Sequence, residues 1–318
     1  MLLKPPFQKI CYKLFLALIA LVYSFSAYVA PSDAQPIAPQ EDDAAFCFAA
    51  LADSQVSNYI LKRVPYFDAA AEDLHNAQRL DAVLIAGDVA ENGLAIEYQY
   101  ICEKLQGLGC PYILAEGNHD IRLRIYKQSL CRFSAFANAL NENDAMDSYH
   151  YSTAVNGYTF LVLGSDKTMF EESYLNDAQL EWLNQSLAAQ QGKPTFVILH
   201  QPLKNTHGLP DTWGSPFQSA GSVGKQSGRI AEILKQYQNV ILITGHLHTG
   251  LGKFTYETLG DVHMVNLPSL TINNKDGGDN GPGIGCMVEC YENKIVFRAR
   301  NFATGEWLPD YDFTIPVQ

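Results

Sequence analysis

Six side chains of metal-ligating type, Asp53, Asp88, Asn118, His200, His246 and His248, lie far apart in the sequence, yet each stands where a short apolar run ends. The tips read Asp53-Ser54-Gln55, Gly87-Asp88-Val89-Ala90-Glu91-Asn92, Gly117-Asn118-His119-Asp120, His200 and Gly245-His246-Leu247-His248. Carboxylate and amide oxygens with imidazole nitrogens suit manganese, iron, zinc or nickel. Two such ions about 3.5 to 4 Å apart can clamp the attacking and the leaving oxygen of a phosphoester. Asp88, at the centre of the set, can bridge two ions through its two oxygens. Water held between them loses a proton near neutral pH and becomes a nucleophile. His119 follows Asn118 directly, so it can face a leaving oxygen as general acid, with Asp120 orienting its ring. An isolated histidine is ordinarily structural, but four of the eight histidines stand at these tips. His75, His150 and His263 are read as structural, and His207 is left open.

Five strands must bring these tips together. The runs Phe46 to Ala52, Ala82 to Ala86, Pro111 to Ala115, Thr195 to Leu199 and Val240 to Thr244 have the length and composition of strands. Ligands of open α/β sheets bind in the crevice at the carboxyl ends of strands, where five tips can converge. Helical stretches near Tyr59 to Arg79, Leu94 to Gln106, Ile121 to Leu140, Asp177 to Ala189 and Ser227 to Tyr237 alternate with the strands. Asn156-Gly157, between Tyr149-His150-Tyr151 and Tyr158 to Leu163, is a two-residue hairpin signal. After His248, Lys253 to Thr258, Val262 to Leu267, Ile284 to Tyr291 and Lys294 to Asn301 read as strands. The expectation is an α/β fold of mixed sheets flanked by helices, forming one domain over residues 44–318, with Gly277 to Gly285 a long flexible loop.

The net charge of −12, without a lysine or arginine run, argues against a nucleic-acid polymer or an anionic membrane surface as partner. A small phosphorylated substrate stays compatible, because metal ions supply local positive charge. Lys4, Lys9 and Lys13 precede an uncharged stretch from Leu14 to Ala27, with the small residues Ser24, Ser26, Ala30 and Ala34 near its end. Residues 1–34 therefore read as a signal peptide and 35–43 as a linker. The alternative is an uncleaved N-terminal membrane anchor, although the stretch falls short of the about 20 apolar residues of a full span. Export, periplasmic or extracellular, is expected under both. Cys11 lies ahead of the apolar run, unlike a lipid-attachment cysteine. Cys47, Cys102, Cys110, Cys131, Cys286 and Cys290 form an even set that would suit disulfides, while Cys47, Cys286 and Cys290 equally suit small core residues.

The ordered motifs resemble those of the calcineurin-like metallophosphoesterase superfamily, whose pattern runs D-x-H, G-D-x-x-x-N, G-N-H-[ED], H and G-H-x-H, and the resemblance spans Asp53 to Thr249. It implies that Asp53, Asp88 and His248 hold a first ion, that Asp88, Asn118, His200 and His246 hold a second, and that His119 is the catalytic histidine. Gln55 stands where most members carry a histidine. The D-x-Q form is similar to a minority branch that includes manganese-dependent ADP-ribose and CDP-alcohol pyrophosphatases. As a ligand, the Gln55 amide oxygen favours manganese or magnesium over zinc; the alternative is that it does not ligate. The segment Leu199 to Thr206, with Gly208 and Trp213-Gly214, is similar to exported bacterial phosphodiesterases of the superfamily. The loop from Lys204 to Phe217, with Lys204, Asn205, His207 and Trp213, either contacts substrate or covers the surface. Arg122 either meets a phosphate oxygen or is solvated at a helix start.

The resulting expectation is a secreted, metal-dependent phosphohydrolase, a phosphodiesterase cleaving small phosphodiesters such as nucleotides by attack of a metal-bridged hydroxide. Its cofactors are two divalent metal ions, manganese first, with iron, zinc or magnesium as alternatives. A phosphomonoesterase or protein phosphatase of the same superfamily, and a degenerate metal-binding protein without turnover, are the competing readings. No P-loop, dinucleotide fingerprint or Gly-x-Ser-x-Gly elbow competes with them. The substrate alcohol and the oligomeric state are left open by the sequence.

Overall fold

The computed structural model describes residues 5–25, 34–142, 146–213 and 221–317. Ser26 and Ala30 of the N-terminal segment, and Gly214 to Phe217 of the loop after His200, lie outside them.

An N-terminal helix, α1 (Pro5–Phe25), precedes β1 (Phe46–Leu51). Along β1 the side chains alternate between two cores: Phe46, Phe48 and Ala50 enter one, Ala49 and Leu51 the other. A strand apolar on both faces belongs in the middle of a layered fold. The chain continues through α2 (Val64–His75), β2 (Ala82–Ala86), α3 (Ala95–Leu105), β3 (Tyr112–Ala115), the short turn α4 (Asn118–Ile121) and α5 (Tyr126–Asn141). A second set follows: β4 (Tyr151–Val155), β5 (Tyr158–Val162), α6 (Asp177–Gln190), β6 (Thr195–Ile198), α7 (Ser227–Leu234), β7 (Val240–Thr244), β8 (Tyr256–Leu259) and β9 (Val262–Asn266). The chain returns to the first sheet with β10 (Ile284–Cys290), β11 (Lys294–Asn301), β12 (Glu306–Trp307) and β13 (Phe313–Pro316).

One sheet has the order β12-β11-β10-β1-β2-β3, with β13 also on β11, and the other the order β4-β5-β6-β7-β9-β8. Both are mixed: β1, β2 and β3 are parallel, as are β5, β6, β7 and β9, while the flanking strands run antiparallel. The sheets face each other across an aromatic core in which Phe160 stacks on Phe196 at 4.9 Å and meets Phe48 edge-on at 5.4 Å. Helices α2, α3 and α5 cover one outer face and α6 and α7 the other.

The strand runs hold to within a residue or two, except that Lys253 to Thr255 form a turn and their strand begins only at Tyr256; the hairpin is a two-residue turn with Asn156 at φ 48° and Gly157 at φ 84°. The helix expected from Ile121 to Leu140 is broken. Arg122 to Ile125 leave the helix and Leu123 takes φ 57°, because α4 is a single turn held by the ligand tips. The stretch from Tyr59 enters through a 3-10 turn over Leu61–Arg63 and becomes α-helical, as α2, at Val64, where Pro65 fits a first turn. Gly277 to Gly285 is not loose: Asn280 exchanges side-chain hydrogen bonds with Gly277, and Gly283 donates to Leu270. All seven cysteines are free thiols, so the disulfide reading is corrected; Cys47, Cys286 and Cys290 are buried apolar residues.

Helix α1 buries Tyr12, Phe15 and Ile19 against the α2 and α3 layer, with Phe15 edge-on to Tyr100 and Tyr23 donating to Asp68. No helix among the described residues is long and apolar enough to cross a membrane.

Candidate metal centre

The strand ends meet in left-handed turns. Asp53 (φ 50°), Gln55 (φ 35°), Asp88 (φ 49°), His246 (φ 74°) and His248 (φ 50°) all adopt backbone that favours glycine. Such residues cost about 1–3 kcal/mol each and persist where the surroundings fix them for a task. Neighbouring glycines give the tips room: a Cβ on Gly117 would lie 2.2 Å from Asp88 Oδ1, and one on Gly87 would lie 2.4 Å from His200 Nδ1. Gly117→Ala should therefore displace Asp88, lowering stability by about 1–3 kcal/mol as overpacking does, together with bound metal. Urea unfolding and elemental analysis check this, and wild-type values in both would contradict the tight approach.

Asp53 Oδ2 accepts from the His246 backbone N–H at 2.9 Å, and its Oδ1 lies 3.1 Å from His248 Nε2 and 3.8 Å from His200 Nε2. Asp88 Oδ1 accepts from the His119 N–H at 2.8 Å, while Oδ2 lies 3.2 Å from His200 Nε2. His200 donates Nδ1–H to the Ala86 carbonyl at 2.8 Å, which aims Nε2 at the carboxylates. His246 packs edge-on to His200 at 5.1 Å and stacks on Trp213 at 4.5 Å. The six residues expected at the centre from their types and spacing thus come together, with Gln55 beside them, its N–H donating to the Asp88 carbonyl at 2.8 Å.

Whether these residues fit metal ions can be judged from their unsatisfied atoms. Gln55 Oε1, Asn118 Oδ1, His200 Nε2 and His246 Nε2 are buried without a hydrogen-bond partner, although buried polar atoms are ordinarily satisfied. Asp88, His200 and His246 place ligand atoms within 4.8 Å of one another. Burial opposes the Asp88 charge, but His200 and His119 hold its carboxyl well below the usual range. Burial likewise opposes a charged His200, yet Asp88 and Asp53 hold its imidazole up at about 10. His246, buried next to His200, stays far below its usual value and keeps a free lone pair. Carboxylates that demand a cation, beside lone pairs without donors, fit bound divalent ions. The orphaned Gln55 oxygen fits the ligating alternative.

His119 stands over this centre, with Nε2 3.9 Å from Asp88 Oδ2. Its Nδ1 lies 3.1 Å from the Glu91 carbonyl, 3.3 Å from Glu91 Oε2 and 2.9 Å from Arg122 Nη2. Burial opposes its charge, but Asp88 and Glu91 raise it above the usual histidine value. The ring-orienting role expected of Asp120 belongs to Glu91. Asp120 is a buried brace that accepts from the N–H groups of Val89, Ala90 and Gly117 and from the Tyr98 hydroxyl, all at 2.9–3.1 Å, and no hydrogen bond or ion pair joins it to the His119 ring. Burial and the Asp88 charge push its carboxyl up to about 7. Arg122 is half-buried and paired: it lies 3.3 Å from Glu171, and Glu171 accepts from Asn118 Nδ2 at 2.9 Å.

Beyond the sequence reading, Glu91 and Glu171 position the ring and the amide, and Asn273 and Lys275 line the cavity of about 390 Å³ over the centre. Position three after Asp88 could have flagged Glu91; nothing in spacing singles out the others. Of the loop after His200, Trp213 lines this cavity, whereas Lys204 and Asn205 border a separate depression. His207 is structural, with Nδ1 2.7 Å from the Phe254 carbonyl.

The chain matches the family described as calcineurin-like phosphoesterase over residues 48–250. It is 29% identical over 170 residues to a Synechococcus sp. protein named "Probable cyclic nucleotide phosphodiesterase", covering 53% of this chain and 58% of that one. It is 26% identical to an Arcobacter nitrofigilis protein named "Probable glycerophosphodiester phosphodiesterase GpdQ", covering 53% of this chain and 56% of that one. To the 3′,5′-cyclic adenosine monophosphate phosphodiesterase of Escherichia coli K12 it is 24% identical, over 54% of this chain and 55% of that one. The chain thus spans just over half the length of these curated relatives. A purple acid phosphatase from yellow lupin seeds shares the fold, with a TM-score of 0.59 and 14% identity over 85% of this chain and 53% of that one.

Proposed function

Since the chain belongs to the calcineurin-like phosphoesterase family, we propose that it is a metal-dependent phosphodiesterase of small phosphodiesters. The observation that carries this reading is the cluster of buried, partnerless ligand atoms around Asp88, with His119 poised above it. Asp53, Gln55, Asp88 and His248 would hold one ion, and Asp88, Asn118, His200 and His246 the other. Bound there, the ions supply positive charge to the phosphoryl oxygens and acidify water.

The chain's own groups do the rest. As the imidazolium, His119 donates Nδ1–H to the Glu91 carbonyl and presents Nε2–H to the departing oxygen. After transfer, the neutral ring keeps its Nδ1 proton, still donated to the Glu91 carbonyl, while Arg122 disfavours a recharged ring. The curated relatives named for diesters support a diester substrate. The orphaned Gln55 oxygen supports manganese at the first site. Lysines ahead of the Leu14 to Ala27 stretch support export.

Chelator-stripped protein, reloaded separately with manganese or zinc, should turn over bis-p-nitrophenyl phosphate faster than p-nitrophenyl phosphate, and faster with manganese. Preference for the monoester would move the assignment to phosphomonoesterase. Inactivity with every metal would leave a metal-binding protein without turnover.

A further inference from the structure

Two long cationic side chains line the cavity over the centre, and their circumstances differ. Arg122 is committed: it lies 3.3 Å from Glu171 and 3.9 Å from Glu91. Lys275, half-buried, has no carboxylate within ion-pair distance and no side-chain hydrogen bond among the described residues. An ammonium on the rim of this cavity, held by no carboxylate, is available to an anion carried by the ligand.

The segment that carries Lys275 is bolted to the ligand tips. Ser269 Oγ donates to the Asp53 carbonyl at 2.9 Å and Thr271 Oγ1 to the Ser54 carbonyl at 2.7 Å. The Lys275 N–H donates to the His248 carbonyl at 2.9 Å, and Gly250 donates back to the Lys275 carbonyl at 2.8 Å. Between these anchors, buried Asn274 accepts from Ser269 N–H and donates to Ser269, Ile272 and Gly281 carbonyls. The segment from Ser269 to Lys275 lies beyond the matched family region, which ends at residue 250, while the tips it grips lie within it. The rim is fixed in advance, which lowers the ordering cost of using it.

We propose that Lys275 is a specificity-determining residue that receives a second anionic group, so that the preferred substrate is a phosphodiester bearing a further phosphate or carboxylate on one ester arm. This rests on the phosphodiesterase reading, with the first phosphate at the metals. The backbone of Lys275 fixes its Cα, and the flexible stem lets the ammonium reach an arm leaving the centre.

The test is titration calorimetry of the metal-loaded full chain with two probes that differ by one anion, thymidine 5′-monophosphate and thymidine 3′,5′-bisphosphate. Wild type should bind the bisphosphate about tenfold more tightly, as one charge-assisted contact provides. Lys275→Met should collapse that ratio toward one and Lys275→Arg should keep it, with metal content equal in all three. Equal binding of both probes by wild type, or a ratio unchanged in Lys275→Met, overturns the proposal. Wild-type turnover of bis-p-nitrophenyl phosphate is read alongside. Turnover without discrimination removes only the role of Lys275, whereas discrimination without turnover removes the hydrolase reading and keeps the anion contact.

Discussion

His119→Ala should lower turnover of a dinucleoside phosphodiester by about 100-fold or more, within the range of about 100- to 10,000-fold that a positioned general acid contributes. Metal content should be unchanged, because the imidazole is held by Glu91 and only the backbone N–H of this residue hydrogen-bonds to Asp88. The loss should depend on the leaving group. An alkoxide needs the proton that Nε2 supplies, whereas p-nitrophenolate leaves without one, so bis-p-nitrophenyl phosphate should suffer much less. Equal loss on both substrates would mean that His119 acts through binding or metal geometry. Unchanged turnover of the dinucleotide would remove it from the chemistry.

Asp88→Asn should have the broader effect. The amide oxygen can still accept from the His119 N–H, so the tip keeps its shape, but the charge that draws His200 and the second bridging oxygen are lost. Both ions share this residue in the arrangement proposed, so metal content should fall below two per chain. Turnover should fall by about 1,000-fold or more, since metals contribute several kcal/mol of transition-state stabilisation and about 1.4 kcal/mol is tenfold in rate. Elemental analysis and the same diester assay check this, with circular dichroism to establish that the variant folds. Two retained ions with full turnover would show that Asp88 does not bridge.

The sequence carried the strands and the ligands for the same reason: each ligand ends an apolar run, and the sandwich needs those runs in its middle. Phe46, Phe48 and Ala50 on one face of β1, with Ala49 and Leu51 on the other, show why the run could be read without its partners. What escaped was set by contacts between distant segments. Asp120 looks like an orienting carboxylate because it follows His119, yet the single turn of α4 points it at Val89 and Ala90. Glu171 reaches Asn118 from a connection with no periodic signal. Lys275 reaches the cavity because Ser269, Thr271 and Asn274 fold the stretch before it against the metal tips, an arrangement no local pattern announces. The cysteines stayed ambiguous for the opposite reason, since burial in a sheet and disulfide pairing use the same residue.

The central claim, that the buried orphaned atoms around Asp88 are the ligands of a catalytic metal pair, is tested most directly by titrating manganese into chelator-stripped protein while following bound metal and diester turnover together. The expected result is turnover that rises with occupancy and saturates as the second ion per chain is bound. Full occupancy with no turnover, or turnover already complete in the stripped protein, would contradict it.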